Sequence, residues 1–208
     1  MKNQFRTINF NYFSLLILGF TLGLSSCNNQ PDNKTTHADF DKIDSLRSTF
    51  LTIEDSLIHT WNIMINDDNH KIKGLKRLVE EVVYAGGVDS TVTSELLTKI
   101  LELKSSRYTM KTMADSDLID IYDSSSNAIV NAAVELASIH PEFDRNIVMN
   151  ELIGEINESE GKILFYRIDY DDMAKVYNQF LEENKSIMND IDSDHERHPL
   201  PLFELPAE

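Results

Sequence analysis

Residues 40–64 read FDKIDSLRSTFLTIEDSLIHTWNIM. Phe40, Ile43, Leu46, Phe50, Ile53, Leu57, Trp61 and Met64 recur at spacings of three and four. That spacing draws one face of an α-helix. The stripe weakens over NDDN, residues 66–69, and returns at Ile72, Leu75, Leu78, Val79 and Val82. Gly86-Gly87 then supplies a helix-ending signal. The pattern predicts one long helix over about 39–85, and the sequence leaves open a kink near Asp67 or Gly74. Unbroken, such a helix would run about 70 Å at 1.5 Å per residue.

Outward from this stretch the same period continues. Val92, Leu96, Ile100 and Leu103 predict a second helix over 90–105, with Asp89 or Ser90 as its N-cap. Residues 105–116 read as a polar connection. Leu118, Tyr122, Ser125, Ile129, Ala132, Leu136 and Ile139 predict a third helix over 117–139, closed by Pro141. Leu152, Ile156, Ser159, Ile163, Tyr166, Tyr170, Met173, Tyr177, Phe180 and Ile187 predict a fourth over 146–188. No run reads as strand. The expectation is an all-α fold, an elongated antiparallel bundle of about four helices, two of them long. The ending HPLPLFELPAE carries three of the five prolines and reads as a non-helical tail, 191–208.

The other end has a different grammar. Lys2 and Arg6 form a basic head, and an apolar run from Tyr12 to Leu24 follows. Thirteen residues are too few to span a bilayer core, which needs about 20. A basic head, a short apolar middle and small residues at the end make a signal peptide over 1–26. Leu24, Ser25 and Ser26 stand directly before Cys27, the chain's single cysteine. This resembles the lipobox of bacterial lipoproteins. The resemblance implies cleavage before Cys27 and lipid on its sulfur and amine. Ordinary signal cleavage and an uncleaved anchor remain the alternatives. Several acyl chains, at about 0.8 kcal/mol per buried CH₂, hold durably where one does not. NNQPDNKTT, within 27–37, then reads as a flexible tether. A lone cysteine gives no internal disulfide and no Cys-x-x-Cys site.

Beyond the signal, 17 basic residues (19 less Lys2 and Arg6) face 35 acidic ones, a net charge of −18. Nucleic acid is an unsuitable partner for such a surface. An anionic membrane surface would repel it too, so attachment is expected through the lipid on Cys27.

Two blocks resemble the LemA family of bacterial envelope proteins. The first is Trp61-x-x-Met64 with HKIKGLKRLVEEVV, 70–83. The second is HPEFDRNIVMNELIGEINESEGKILFYRIDYDDMAKVYNQF, 140–180, with Leu152, Glu155, Ile156, Glu160, Ile163, Arg167, Tyr170, Tyr177 and Asn178 at the family's positions. Pro201, Phe203 and Glu204 match its ending. Departures fall in the first block. His70 and Lys71 replace two arginines, and Gly74, Lys76 and Arg77 replace leucine, proline and asparagine. The resemblance implies a helical LemA-like domain over 38–190 in the cell envelope, outside the cytoplasm. It implies no catalytic residues.

No catalytic signature emerges from the residues themselves. His195 and His198 lie three apart, but lack a third ligand for zinc. Asp190, Asp192 and Asp194 begin like a calcium loop, yet His195 and Pro201 occupy the positions of its glycine and glutamate. Asp169, Asp171 and Asp172 read as a solvated helix face. With Glu155 and Glu160 they lack the Glu-x-x-His motifs of bundle metal pairs. His59 has no such context either. Ser105, Ser106 and Ser124 to Ser126 read as helix-end and surface residues. Tyr166, Tyr170, Tyr177, Phe180 and Trp61 read as core. No catalytic residue, metal or cofactor is therefore expected. The leading expectation is a lipid-anchored, non-enzymatic interaction or scaffold module whose partner is another envelope protein. The alternatives are an envelope protein holding a small molecule or metal between helices, and an enzyme without a recognisable signature.

Overall fold

A computed structural model describes residues 34–203 of the chain, with side chains from 39 onward. Among them α1 spans Lys34–Ala85, α2 Ser90–Ser106, α3 Ser116–Ser138, α4 Ile147–Glu183 and α5 Met188–Ile191. A single 3₁₀ turn, Phe143–Arg145, precedes α4. The expected all-α bundle with two long helices is present. The signal region, Cys27, the tether up to residue 33 and residues 204–208 lie outside the described residues, while residues 34–37, read as tether, belong to α1.

α1 is one continuous helix of 52 residues, about 78 Å at 1.5 Å per residue. It runs through Asp67 and Gly74 without interruption. It ends at Gly86 and Gly87, whose φ values of 84° and 75° are left-handed and cost little without a Cβ. Asp89 starts α2 by accepting from the Thr91 N–H at 2.7 Å. Asp115 does the same for α3 from Asp117 at 3.1 Å. Asn146 starts α4 by accepting from Met149 at 3.0 Å. Each carboxylate or amide satisfies a donor that the first turn leaves unpaired.

α4 packs antiparallel on α1 along most of its length. Phe50 stacks on Phe180, Trp61 meets Tyr170 edge-on, Lys71 reaches Glu160, and Gly74 faces Ile156. Asn146 closes this register with a 2.9 Å bond to Glu81. The Gly74 contact is close: a Cβ there would stand 3.3 Å from Ile156 Cγ1. α2 descends along the C-terminal half of α1, and α3 climbs back. His140, after α3, joins its Nε2 to the Gly86 carbonyl at 2.7 Å. Its Nδ1 accepts from the Glu142 N–H, so Nε2 carries the proton.

The C-terminal half of α1 is therefore one edge of a four-helix core. Leu75, Leu78, Val79, Val82, Ile100, Leu103, Ala133, Ala137, Met149 and Ile156 are buried there. Full burial of each large aliphatic chain stabilises by about 1.5–3 kcal/mol. The N-terminal half pairs with α4 and, through Arg47, with the Asp190 and Ile191 carbonyls of α5. The open side of that pair is covered by residues 192–203, an extended segment antiparallel to α4. Asn178 gives its Nδ2–H to Leu200 O at 2.8 Å and accepts from Leu200 N at 2.7 Å. Asp171 accepts from Phe203 N at 2.9 Å. Arg197 bridges Glu54 and Asp192, each at 2.6 Å.

Four readings need correction. The α3 stripe is turned by about one residue: Ile119, Tyr122, Ser126, Ile129, Val130, Ala133 and Ala137 face inward, while Leu118, Ser125, Ala132 and Ile139 are exposed. α3 carries two adjacent apolar rows, and the row with alanines lets its neighbours approach closely. In α2, Thr93 rather than Val92 is buried. α4 stops at Glu183, where Asn184 turns both its backbone N–H and its side-chain amide to the Phe180 carbonyl. The connection 107–115 buries Tyr108 and Met113.

Candidate functional site

The α1 stripe does not break at NDDN. Its three-four spacing passes from Trp61 and Met64 through Asp68 and Lys71 to Leu75 and Leu78. Asp68 and Lys71 thus hold core positions, and both are buried. A lone buried charge costs several kcal/mol, so such groups must be paired.

The pairing is dense. Lys71 Nζ donates to Ser126 Oγ at 2.8 Å and to Glu160 Oε1 at 2.5 Å, and lies 3.1 Å from Asp68 Oδ1. The other Asp68 oxygen accepts from Tyr122 OH at 2.5 Å and from Arg107. Arg107 also donates to Asn69 at 3.1 Å. From α4, Arg167 donates to Asp123 at 2.7 Å and to Tyr108 OH at 3.1 Å. One cluster therefore ties α1, the α2–α3 connection, α3 and α4 together at the waist of the bundle.

Aromatic rings enclose it. Tyr108 and Tyr122 meet edge-on at 5.7 Å between centroids. Arg107 lies over the Tyr122 ring at 6.0 Å, and Arg167 over Phe203 at 5.0 Å. These are favourable cation–π placements. Phe203, from the C-terminal segment, also contacts Tyr108 and Tyr170. Burial raises the pKa of Tyr108, and of Tyr122 and Tyr170 more strongly, above the ordinary phenol range. For Tyr122 the adjacent Asp68 carboxylate adds to the effect. Tyr122 therefore stays a neutral donor. Burial opposes the charge on Arg167, but its bonds to Asp123 and Tyr108 outweigh that and raise its pKa. Between these side chains lies a cavity of about 100 Å³, lined by Asp68, Lys71, Arg107, Tyr122, Ser126 and Arg167 among others.

The sequence points to Arg167 through the family resemblance and to Glu160 through it and through the rejected metal pair, and the structure brings both to this cavity. Asp68, Lys71, Arg107 and Tyr108 escaped notice as a group. The usable signal was positional: charged residues standing on the apolar stripe itself. Asp171 is buried, contrary to its reading as part of a solvated face, while Asp169 and Asp172 are exposed. Burial raises its carboxyl above the ordinary value, and the Phe203 N–H partly offsets this. Ser126 is buried and bonded to Lys71, not a surface residue, whereas Ser105 and Ser106 do end a helix. Tyr170, Tyr177 and Phe180 are core. His59, His195 and His198 are exposed. Among the described residues no three His, Cys, Asp or Glu side chains are grouped to hold a metal. No described helix is long and apolar enough to cross a membrane.

Comparison with family models, with curated proteins and with solved structures finds no match.

Proposed function

We propose that this chain is a lipid-anchored bacterial cell-envelope protein of the LemA type, held to a membrane through lipid on Cys27. It acts without enzymatic chemistry, as an interaction or scaffold module for another envelope protein. The signal pattern ending at Cys27 supports the anchor. One structural observation supports the interaction role. Leu164, Phe165, Ile168 and Val176 stand exposed along α4, on a chain whose surface is strongly acidic. Exposed apolar groups with a polar rim mark contact surfaces. Asp169 stands beside this row and Asp172 within it, between Ile168 and Val176, and both favour a basic, amphipathic partner segment.

Crosslinking in living cells followed by mass spectrometry tests the proposal. It compares wild type, Cys27→Ala and a Phe165→Asp/Ile168→Asp double variant. A partner captured by the wild type and lost in both variants is the expected outcome. Equal capture by all three, or none by any, overturns it.

The small-molecule alternative is favoured by one observation, the polar cavity at the waist.

A further inference from the structure

Residues 192–203 run extended along α1 and α4, and none of them is buried. The bonds that hold them are addressed mainly to their backbone. Asn178 gives its Nδ2–H to Leu200 O at 2.8 Å and accepts from Leu200 N at 2.7 Å. Asp171 accepts from Phe203 N at 2.9 Å, and Tyr170 OH donates to Pro201 O at 3.4 Å. Two periods match here. Asp171 and Asn178 stand seven residues apart on α4, about 10.5 Å at 1.5 Å per residue. Leu200 and Phe203 stand three apart in an extended chain, about 10 Å at 3.3 Å per residue. Every extended peptide presents its amides at that interval.

Three side chains of the segment add selectivity at the same interval: Arg197, Leu200 and Phe203. Arg197 pairs with Glu54 at 2.6 Å and lies over the Phe50 ring at 5.3 Å. Leu200 packs against the core. Phe203 lies against Arg167 at 5.0 Å and meets Tyr108 and Tyr170 edge-on. The groove under them has definite wants. Asp171 is buried, and among the described residues it accepts from Phe203 N–H and from no other group. Glu54 has Arg197 as its one ion-pair partner among them. A carboxylate set into protein without its donor is costly. The groove therefore calls for an N–H at one end and a cation at the other, and a surface segment supplies both.

We propose that this α1–α4 groove binds an extended segment of another protein, one with a cation, an apolar residue and an aromatic residue at every third position, and that residues 192–203 are its intramolecular occupant. Main-chain bonds with side-chain anchors at fixed intervals are a recurring way to read extended peptides. Charge selects a different protein over a second copy. The segment carries Asp192, Asp194 and Glu196 beside its one arginine, and the chain as a whole is strongly acidic, so copies repel one another. A more basic segment meets Glu54 without that penalty, and this offsets the advantage that tethering gives the chain's own segment. The site is separate from the exposed α4 row and does not rest on it.

The test uses the full chain in detergent micelles and two labelled peptides. One is residues 192–203, DSDHERHPLPLF. The other keeps only the arginine, the leucine with the proline after it, and the phenylalanine at their places, with serine and lysine elsewhere. A scrambled form of the second is the control. Fluorescence anisotropy follows binding, and NMR follows the Leu200 and Phe203 amide signals of the protein. The expected result is saturable binding of both peptides but not of the scrambled one, with both amide signals moving as the chain's own segment leaves. Arg197→Ser/Phe203→Ser removes that segment's anchors and should tighten peptide binding about tenfold or more. Adding Asn178→Ala withdraws two bonds from the peptide backbone and should lose about tenfold. Binding of neither peptide, equal binding of the scrambled one, or indifference to Asn178→Ala overturns the proposal. Binding of the first peptide alone overturns it too, because the groove then reads only its own segment. A wild-type dimer that the peptide dissociates assigns the groove to a second copy and overturns it as well. Should the double variant fail to fold, the two wild-type titrations and the Leu200 and Phe203 signals still decide.

Discussion

Lys71 and Leu78 stand on the same row of α1, one heptad apart, and meet burial in opposite ways. Around Leu78 the core is dry: Val79, Val82, Ile100, Ala133 and Ala137 are fully buried and apolar. Around Lys71 the same row of the same helix is filled with charge, each group answered by another. The contrast teaches that helical spacing specifies which positions face inward, while chemistry specifies what each position then demands. An apolar position asks only for volume. A charged one asks for particular atoms at particular distances, and so it fixes the register of four segments at once.

The largest effect should come from breaking the waist. Asp68→Ala leaves the Tyr122 hydroxyl without its acceptor, Arg107 without its carboxylate and Lys71 with Glu160 as its one carboxylate, and should cost about 3–5 kcal/mol, read by urea unfolding. Replacing Asp68, Lys71 and Arg107 together by Leu, Met and Met should be neutral or stabilising by about 1–4 kcal/mol. If the triple variant is as damaged as the single one, the two regions differ in more than pairing. Leu78→Ala probes the dry side, with an expected loss of about 2–5 kcal/mol through the cavity it leaves. A much smaller loss would mean that this end relaxes and the contrast with the waist fails.

A smaller effect belongs to Asp171 and the segment it holds. Its carboxyl is raised by burial in the folded state, against about 3.9 when unfolded. The folded chain therefore binds this proton more readily. The group's contribution to stability grows as pH falls through the raised value, and is complete below about 3.9. Relative to Asp171→Asn, which cannot titrate, the wild type should gain stability as pH falls from neutral. Parallel pH profiles for the two proteins would refute this. The smallest effects come from glycine. Gly154, within α4, has open space where a Cβ would go. Gly154→Ala should raise stability by about 0.5–1 kcal/mol. Gly74→Ala should raise it less, because its new Cβ presses on Ile156.

Much of the bundle was legible. The α1 stripe, the Gly86-Gly87 stop and the aromatic ladder of α4 each declare themselves by apolar spacing. α3 misled because two apolar rows lie side by side, and the choice between them belongs to its neighbours. The waist was hidden because counting apolar residues treats Asp68 and Lys71 as gaps rather than as core. The C-terminal segment was hidden for another reason. Its hold rests largely on the Asn178 and Asp171 side chains meeting backbone groups of Leu200 and Phe203. No hydrophobic pattern announces such bonds. Arg107 was further obscured by lying in a stretch read as a polar connection.

The pairing of α1 with α4 and α5 also sets the order in which the domain can fold. Arg47 donates to the Ile191 carbonyl across a separation of 144 residues. Phe50 waits for Tyr177 and Phe180. During synthesis Arg47 thus meets its partner only after a further 144 residues have emerged. α1 and α2 can join early because only a short turn separates them. Closing the long loop to α4 carries an entropic cost before any contact rewards it, and such non-local closure slows folding. Until then the N-terminal half of α1 carries an uncovered apolar stripe, a ready surface for a chaperone to hold.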